Sequence, residues 1–125
     1  VATATERHRI EVDHLTFRGG VNWSSTVELR LNVDGHKVEV KGQGSNVDAA
    51  LLDALGAASI RINDFGRPEV ISFIAKRNGD GFVAEVTLSG DHHQQTGEAQ
   101  ADGNGTESRL RVIAMAYMRA LNRLI

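Results

Sequence analysis

Val27-Glu28-Leu29-Arg30-Leu31-Asn32-Val33-Asp34-Gly35-His36-Lys37-Val38-Glu39-Val40 decides the fold class. Val27, Leu29, Leu31 and Val33 alternate with Glu28, Arg30 and Asn32, and this period of two is that of a strand with one buried face. Asp34-Gly35 is a two-residue hairpin signal, because both positions of such a turn take positive φ. Val38 and Val40 then alternate with Lys37, Glu39 and Lys41 on the way back. One face of this hairpin is apolar and the other is charged, which is the mark of an antiparallel sheet covered on one side.

Upstream, Ile10, Val12, Leu15 and Phe17 predict another strand, with a phase slip near His14 of the kind a bulge produces. Residues 1–9 are small and polar and are expected to be loose. Downstream, Gly42-Gln43-Gly44-Ser45 ends the hairpin and opens a helix, with Ser45 as the expected cap and Asp48 three residues on. Val47, Leu51, Ala54 and Leu55 make an apolar stripe, and Gly56 reads as the helix stop. Ile60-Arg61-Ile62 then predicts a strand, Pro68 a strand start or edge, and Val70–Ala75 a further strand. Asn78-Gly79-Asp80-Gly81 is a turn. Phe82, Ala84, Val86 and Leu88 alternate beyond it. Residues 90–98 read as a polar loop and 97–101 as a weak strand. Gly103-Asn104-Gly105-Thr106 opens the last helix, whose apolar face is Leu110, Ile113, Ala114, Tyr117, Leu121 and Leu124.

The two halves repeat: strands, a Gly-x-Gly loop, a hydroxyl cap, a helix. Gly42-Gln43-Gly44-Ser45 aligns with Gly103-Asn104-Gly105-Thr106 without a gap. The expected architecture is α+β, with two β-β-β-α units related by a pseudo-twofold and helices packed on antiparallel sheet.

Composition bounds the rest. The chain has 125 residues, 41% hydrophobic and 24% charged, which suits one globular domain spanning 1–125. A net charge of −2 offers no bulk attraction to nucleic acid or anionic membrane. The absence of cysteine excludes disulfides and thiolate metal sites and favours a reducing, cytoplasmic compartment. No apolar run approaches the ~20 residues that span a bilayer.

No catalytic constellation is visible. His92-His93 is a histidine pair, but adjacent side chains diverge and only Asp91 is near, so a solvated loop is the better reading. Asp13 and His14 lack a nucleophile, and no serine sits in a Gly-x-Ser-x-Gly elbow. Arg109, Arg111, Arg119 and Arg123 spread around the last helix as a solvated face, and Trp23 lies in or beside a loop. The Gly-x-Gly loops are the main functional candidates. Glycine lets backbone approach closely, and a helix start presents unpaired N–H groups to a carboxylate or phosphate. A plain strand-to-helix connection is the competing reading of each. Neither is a Rossmann or Walker loop. No metal and no cofactor is expected.

Four stretches resemble a known family, the C-terminal regulatory domain of 2-isopropylmalate synthase and of citramalate synthase. They are the hairpin Val27–Val40, the helix start Gly42-Gln43-Gly44-Ser45-Asn46-Val47-Asp48-Ala49, the step Ile62-Asn63-Asp64-Phe65, and the close Ala116-Tyr117-Met118-Arg119-Ala120-Leu121-Asn122-Arg123. Ser45-Asn46 stands where the family has Gly-Pro, and Ser108-Arg109 and Val112-Ile113 depart from its second helix start. The resemblance implies a non-catalytic domain that binds a branched-chain amino acid, leucine or isoleucine, as feedback inhibitor and forms a homodimer. It also implies an attached N-terminal catalytic barrel. The effector-binding residues so implied are Gly44, Ser45, Asn46, Val47, Ile62, Asp64, Phe65, Gly105 and Thr106. Two other readings stand beside it: a dimerisation or protein-interaction module with no small ligand, and a small enzyme with an unrecognised site.

Overall fold

The structure is a computed structural model, and it describes residues 8–19, 24–63, 66–90 and 93–125. Trp23, Asp64, Phe65, Asp91 and His92 lie outside the described residues. The element order is β1 (Ile10–Arg18), β2 (Ser25–Val33), β3 (His36–Gly44), α1 (Val47–Ile62), β4 (Glu69–Asn78), β5 (Gly81–Ser89), β6 (Gln94–Asp102) and α2 (Thr106–Leu124). The fold is α+β, two β-β-β-α units, each a three-stranded antiparallel sheet packed with one helix. The chain divides into two compact units: Ile10–Arg67, called here the first, and Pro68–Ile125 together with the residues before Ile10, the second.

In the first unit β1-β2-β3 form a meander in which every neighbour is antiparallel. The slip near His14 is a bulge at Asp13, between the Val12↔Leu31 and His14↔Arg30 pairs. Asp34 and Gly35 both take positive φ, 53° and 89°, as the hairpin requires. The Asn32 carboxamide oxygen accepts from Gly35 N–H at 2.8 Å and pins the turn. Val27, Leu29, Leu31 and Val33 are buried, together with Leu51, Ala54, Leu55 and Ala58 of α1, which packs on β2 and β3. Each large side chain so buried contributes roughly 1.5–3 kcal/mol.

Three features of α1 differ from expectation. Its cap is Asn46, whose side-chain oxygen accepts from Ala49 N–H at 2.9 Å, while Ser45 stands one residue outside. Gly56 does not stop the helix, because Leu55, Ala58 and Ser59 continue the buried stripe through it. Ile60-Arg61-Ile62 is the last helical turn rather than a strand. Asn63 closes the helix, both its backbone N–H and its carboxamide donating to the Ser59 carbonyl.

In the second unit β4-β5-β6 repeat the meander. Pro68 directly precedes β4, and Gly79 with φ 61° turns β4 into β5. Gln94–Asp102 is a full strand paired along its length with β5, not a loop with a short strand at its end. Its buried members are small, Gly97 and Ala99, because α2 lies directly over them. Phe82, Ala84, Val86 and Leu88 of β5 are buried, with Leu110, Ile113, Ala114, Tyr117 and Leu121 of α2. Before β4's counterpart strand ever begins, His8 is tied in: its N–H donates to the Asn122 side-chain oxygen at 2.9 Å, and the Asn122 amide donates back to the His8 carbonyl.

Gly42 in β3 and Gly97 in β6 fix how the units correspond. A Cβ at Gly42 would fall 2.2 Å from the Ala50 carbonyl oxygen and 2.3 Å from Ala54 nitrogen; at Gly97, 2.2 Å from the Ala116 oxygen and 2.4 Å from Ala120 nitrogen. Both glycines let a helix backbone rest on the strand, four residues of helix spanning each. Gly42 therefore corresponds to Gly97, and not to Gly103 as the ungapped alignment of the Gly-x-Gly stretches supposes.

Candidate functional site

The first Gly-x-Gly stretch is the end of a strand. Gly42 and Gly44 both lie in β3 with ordinary torsions. A Cβ at Gly44 would meet the Ala49 Cβ at 2.6 Å and the Ala50 nitrogen at 2.7 Å. The space beside it is filled by the first turn of α1. Asn46 occupies the Ala49 N–H, so one of the donors expected to face a ligand is taken by the chain itself. Ser45 is exposed and Val47 half-buried.

The second stretch is a true loop. Gly103 and Gly105 hold φ 131° and 95°. Gly103 N–H donates to the Asp80 carbonyl at 3.1 Å, and Arg77 reaches the Asn104 side-chain oxygen at 2.7 Å while lying over the Phe82 ring. Gly105 is the helix cap and supplies no side chain to it; Thr106 is the first helical residue rather than the hydroxyl cap. The two helix starts thus differ: α1 is self-capped, α2 is not.

The sequence-derived site residues are not gathered into one place within a unit. Gly44, Ser45, Asn46, Val47 and Ile62 belong to the first unit, Gly105 and Thr106 to the second. Val47 and Ile62 are the first and last residues of α1, which puts them roughly 22 Å apart along its axis. Asp64 and Phe65 are outside the described residues.

A cluster not anticipated from the sequence sits on α1. Asp53 accepts from the Gln43 backbone N–H at 2.9 Å and from Arg67 at 3.0 Å. The Gln43 hydrogen bond, then the Arg67 guanidinium, hold its carboxyl below the usual carboxylate range. Gly56 makes this possible, since a Cβ there would lie 2.7–2.9 Å from Arg67 Nε, Cδ and Cζ. The signal in the sequence is a glycine inside an otherwise continuous apolar stripe. Arg119 and Arg123, expected as a solvated face, are exposed but not idle. Arg119 donates to the Glu98 carbonyl at 2.6 Å and Arg123 to the Thr96 carbonyl at 2.5 Å. On the other sheet Arg61 donates to the Glu39 carbonyl at 2.8 Å. Helix side chains thus occupy some outward backbone groups of the edge strands, at Glu39 and Gln43 of β3 and at Thr96 and Glu98 of β6, which would otherwise be open to pairing.

The outer face of the first sheet holds an open groove of about 360 Å³ lined by His14, Glu28, Leu29, Arg30, Glu39, Val40 and Lys41. Its charges are paired, Arg30 with Glu39 at 3.0 Å and Lys41 with Glu28 at 3.4 Å. Among the described residues no three histidine, aspartate or glutamate side chains are placed to hold a metal, and no helix is long and apolar enough to cross a membrane. His93 is exposed, its Nε2 3.3 Å from the Leu124 carbonyl. Compared with known proteins, the chain matches no protein-family model and no curated protein sequence.

Proposed function

We propose that this chain is a non-catalytic regulatory and dimerisation domain of the 2-isopropylmalate synthase kind, binding leucine or isoleucine and working beside a catalytic barrel. The observation that carries the reading is the doubled β-β-β-α fold, with a glycine-marked helix start in each unit and the family-like stretches in the same order. Association is supported by what each helix leaves uncovered. α1 packs on β2 and β3, α2 mainly on β5 and β6. The first strand of each unit therefore stays half-open, with Phe17 and Ile71 exposed at 40% and 45%. Ile10, Val12, Val70 and Phe73 are only partly buried. The α2 start, with no side-chain cap at Gly105, offers N–H donors and positive helix-end potential to a carboxylate. Val47 and Ile62 stand at opposite ends of α1, so a ligand touching both draws them from two copies.

Isothermal titration of leucine, isoleucine, valine and alanine into the chain, with sedimentation at tens of micromolar, tests this. A branched side chain buried on binding contributes roughly 2–3 kcal/mol, so alanine should bind one to two orders of magnitude more weakly. The self-capped α1 start favours the second reading, a dimerisation module with no small ligand. Dimer without heat from any amino acid at millimolar concentration would select it, and monomer throughout would exclude both.

A further inference from the structure

The two sheets are alike on the face their helix covers and unlike on the other. In the first unit the outer face carries Glu28 opposite Lys41 and Arg30 opposite Glu39, both joined as ion pairs. With Gly97 placed on Gly42, those positions become Thr87 opposite Thr96 and Ser89 opposite Gln94. Thr87 and Thr96 share a hydroxyl hydrogen bond of 2.9 Å. The neighbouring outer pair, Thr26 opposite Gln43, becomes Glu85 opposite Glu98. Two carboxylates directly opposite on a sheet repel one another. Among the described residues, no ion pair or hydrogen bond holds either carboxylate: Arg119 reaches the Glu98 carbonyl, not its side chain. Ile74, opposite Glu85, is 49% exposed, and Val83 lies beside it on the same face. Lys76, opposite Val83, is the basic side chain on this face, against Glu69, Glu85, Glu98 and Asp102. One sheet has thus closed its outer face with matched charges, while the other keeps an unbalanced acidic pair beside exposed aliphatic surface.

We infer that the outer face of β4-β5-β6 is a docking surface for a basic, amphipathic protein segment. Such a segment sets lysine or arginine over Glu85 and Glu98 and apolar side chains over Ile74 and Val83. The charge sign turns away nucleic acid and anionic lipid. It also disfavours this face meeting its own copy, which would bring four carboxylates together. The inference does not rest on the amino-acid effector.

The test is an NMR titration of the ¹⁵N-labelled chain with a synthetic helical peptide that is leucine on one side and lysine on the other. A counterpart with glutamate for lysine is the control. The lysine peptide should shift β4–β6 amides, and Glu85→Gln with Glu98→Gln should weaken it about three- to tenfold, the worth of two exposed charge contacts. Ile74→Thr should weaken it further, and the glutamate peptide should not bind. The double glutamine variant should melt at or above the parent temperature, since it removes a repulsion. The proposal is overturned by no binding at millimolar peptide, by shifts centred on the Glu28–Lys41 face, or by unchanged affinity in the double variant. A lower melting temperature would make the carboxylates structural, and self-association set off by the glutamines would assign the face to a second copy; either overturns it.

Discussion

Asp53 of α1 and Arg119 of α2 occupy corresponding places and do one job with opposite charge. Asp53 accepts the outward N–H of Gln43, and Arg119 donates to the outward carbonyl of Glu98, the residue that corresponds to Gln43. Asp53→Ala should cost about 1 kcal/mol and Arg119→Ala about 0.5–1 kcal/mol in urea unfolding, as exposed hydrogen bonds to charged groups. An Arg119→Ala variant as costly as a core truncation would contradict this.

The Asp53 carboxyl has a pH signature. Its folded pKa lies below its ordinary 3.8, so the stability it adds is complete above that value and is lost as pH falls through the lower folded one. Following the carboxyl by NMR should show titration below 3.8, moving upward in Arg67→Ala. It should not return fully to 3.8 there, because the Gln43 N–H remains. No change on removing Arg67 would mean the ion pair is not formed in solution.

Gly42→Ala and Gly97→Ala should each destabilise by about 1–3 kcal/mol, the range of an overpacked contact, because the added methyl meets helix backbone that cannot turn aside. Equal losses at the two positions support their correspondence. Gly103→Ala instead is costly through its positive φ.

Gly56→Ala makes the opposite kind of change. The methyl meets the end of a flexible arginine, so Arg67 is displaced from Asp53 while the helix gains about 1 kcal/mol of propensity. The melting temperature should hold or rise while the Asp53 pKa climbs. A fall of several degrees would show that Arg67 has nowhere to go.

Capping separates two adjacent residues. Asn46→Ala should cost about 1 kcal/mol and Ser45→Ala almost nothing. The reverse order in thermal melts would restore Ser45 as the cap.

The hairpin at Asp34-Gly35 was legible because alternation and turn chemistry agree there on one answer. The end of α1 was not. Gly56, Ile60 and Ile62 carry weak helix propensity, and what overrides it is packing of Leu55, Ala58 and Ser59, which local sequence does not display. β6 was hidden for a related reason. Where a helix backbone rests on a strand, the buried residues must be small, so Gly97 and Ala99 leave no apolar alternation to read. The candidate site was legible as two helix starts and a connecting segment. That the first start is packed shut depends on Ala49 and Ala50 standing against Gly44, a contact visible only in the fold.

The tie between His8 and Asn122 gives the chain an order of assembly. During synthesis the first unit can close on itself once Arg67 is clear of the ribosome, since all its strand neighbours are consecutive. His8 emerges before any of it, yet its partner is made 114 residues later. The segment that precedes the first unit is therefore seated only after that unit and then α2 have been made.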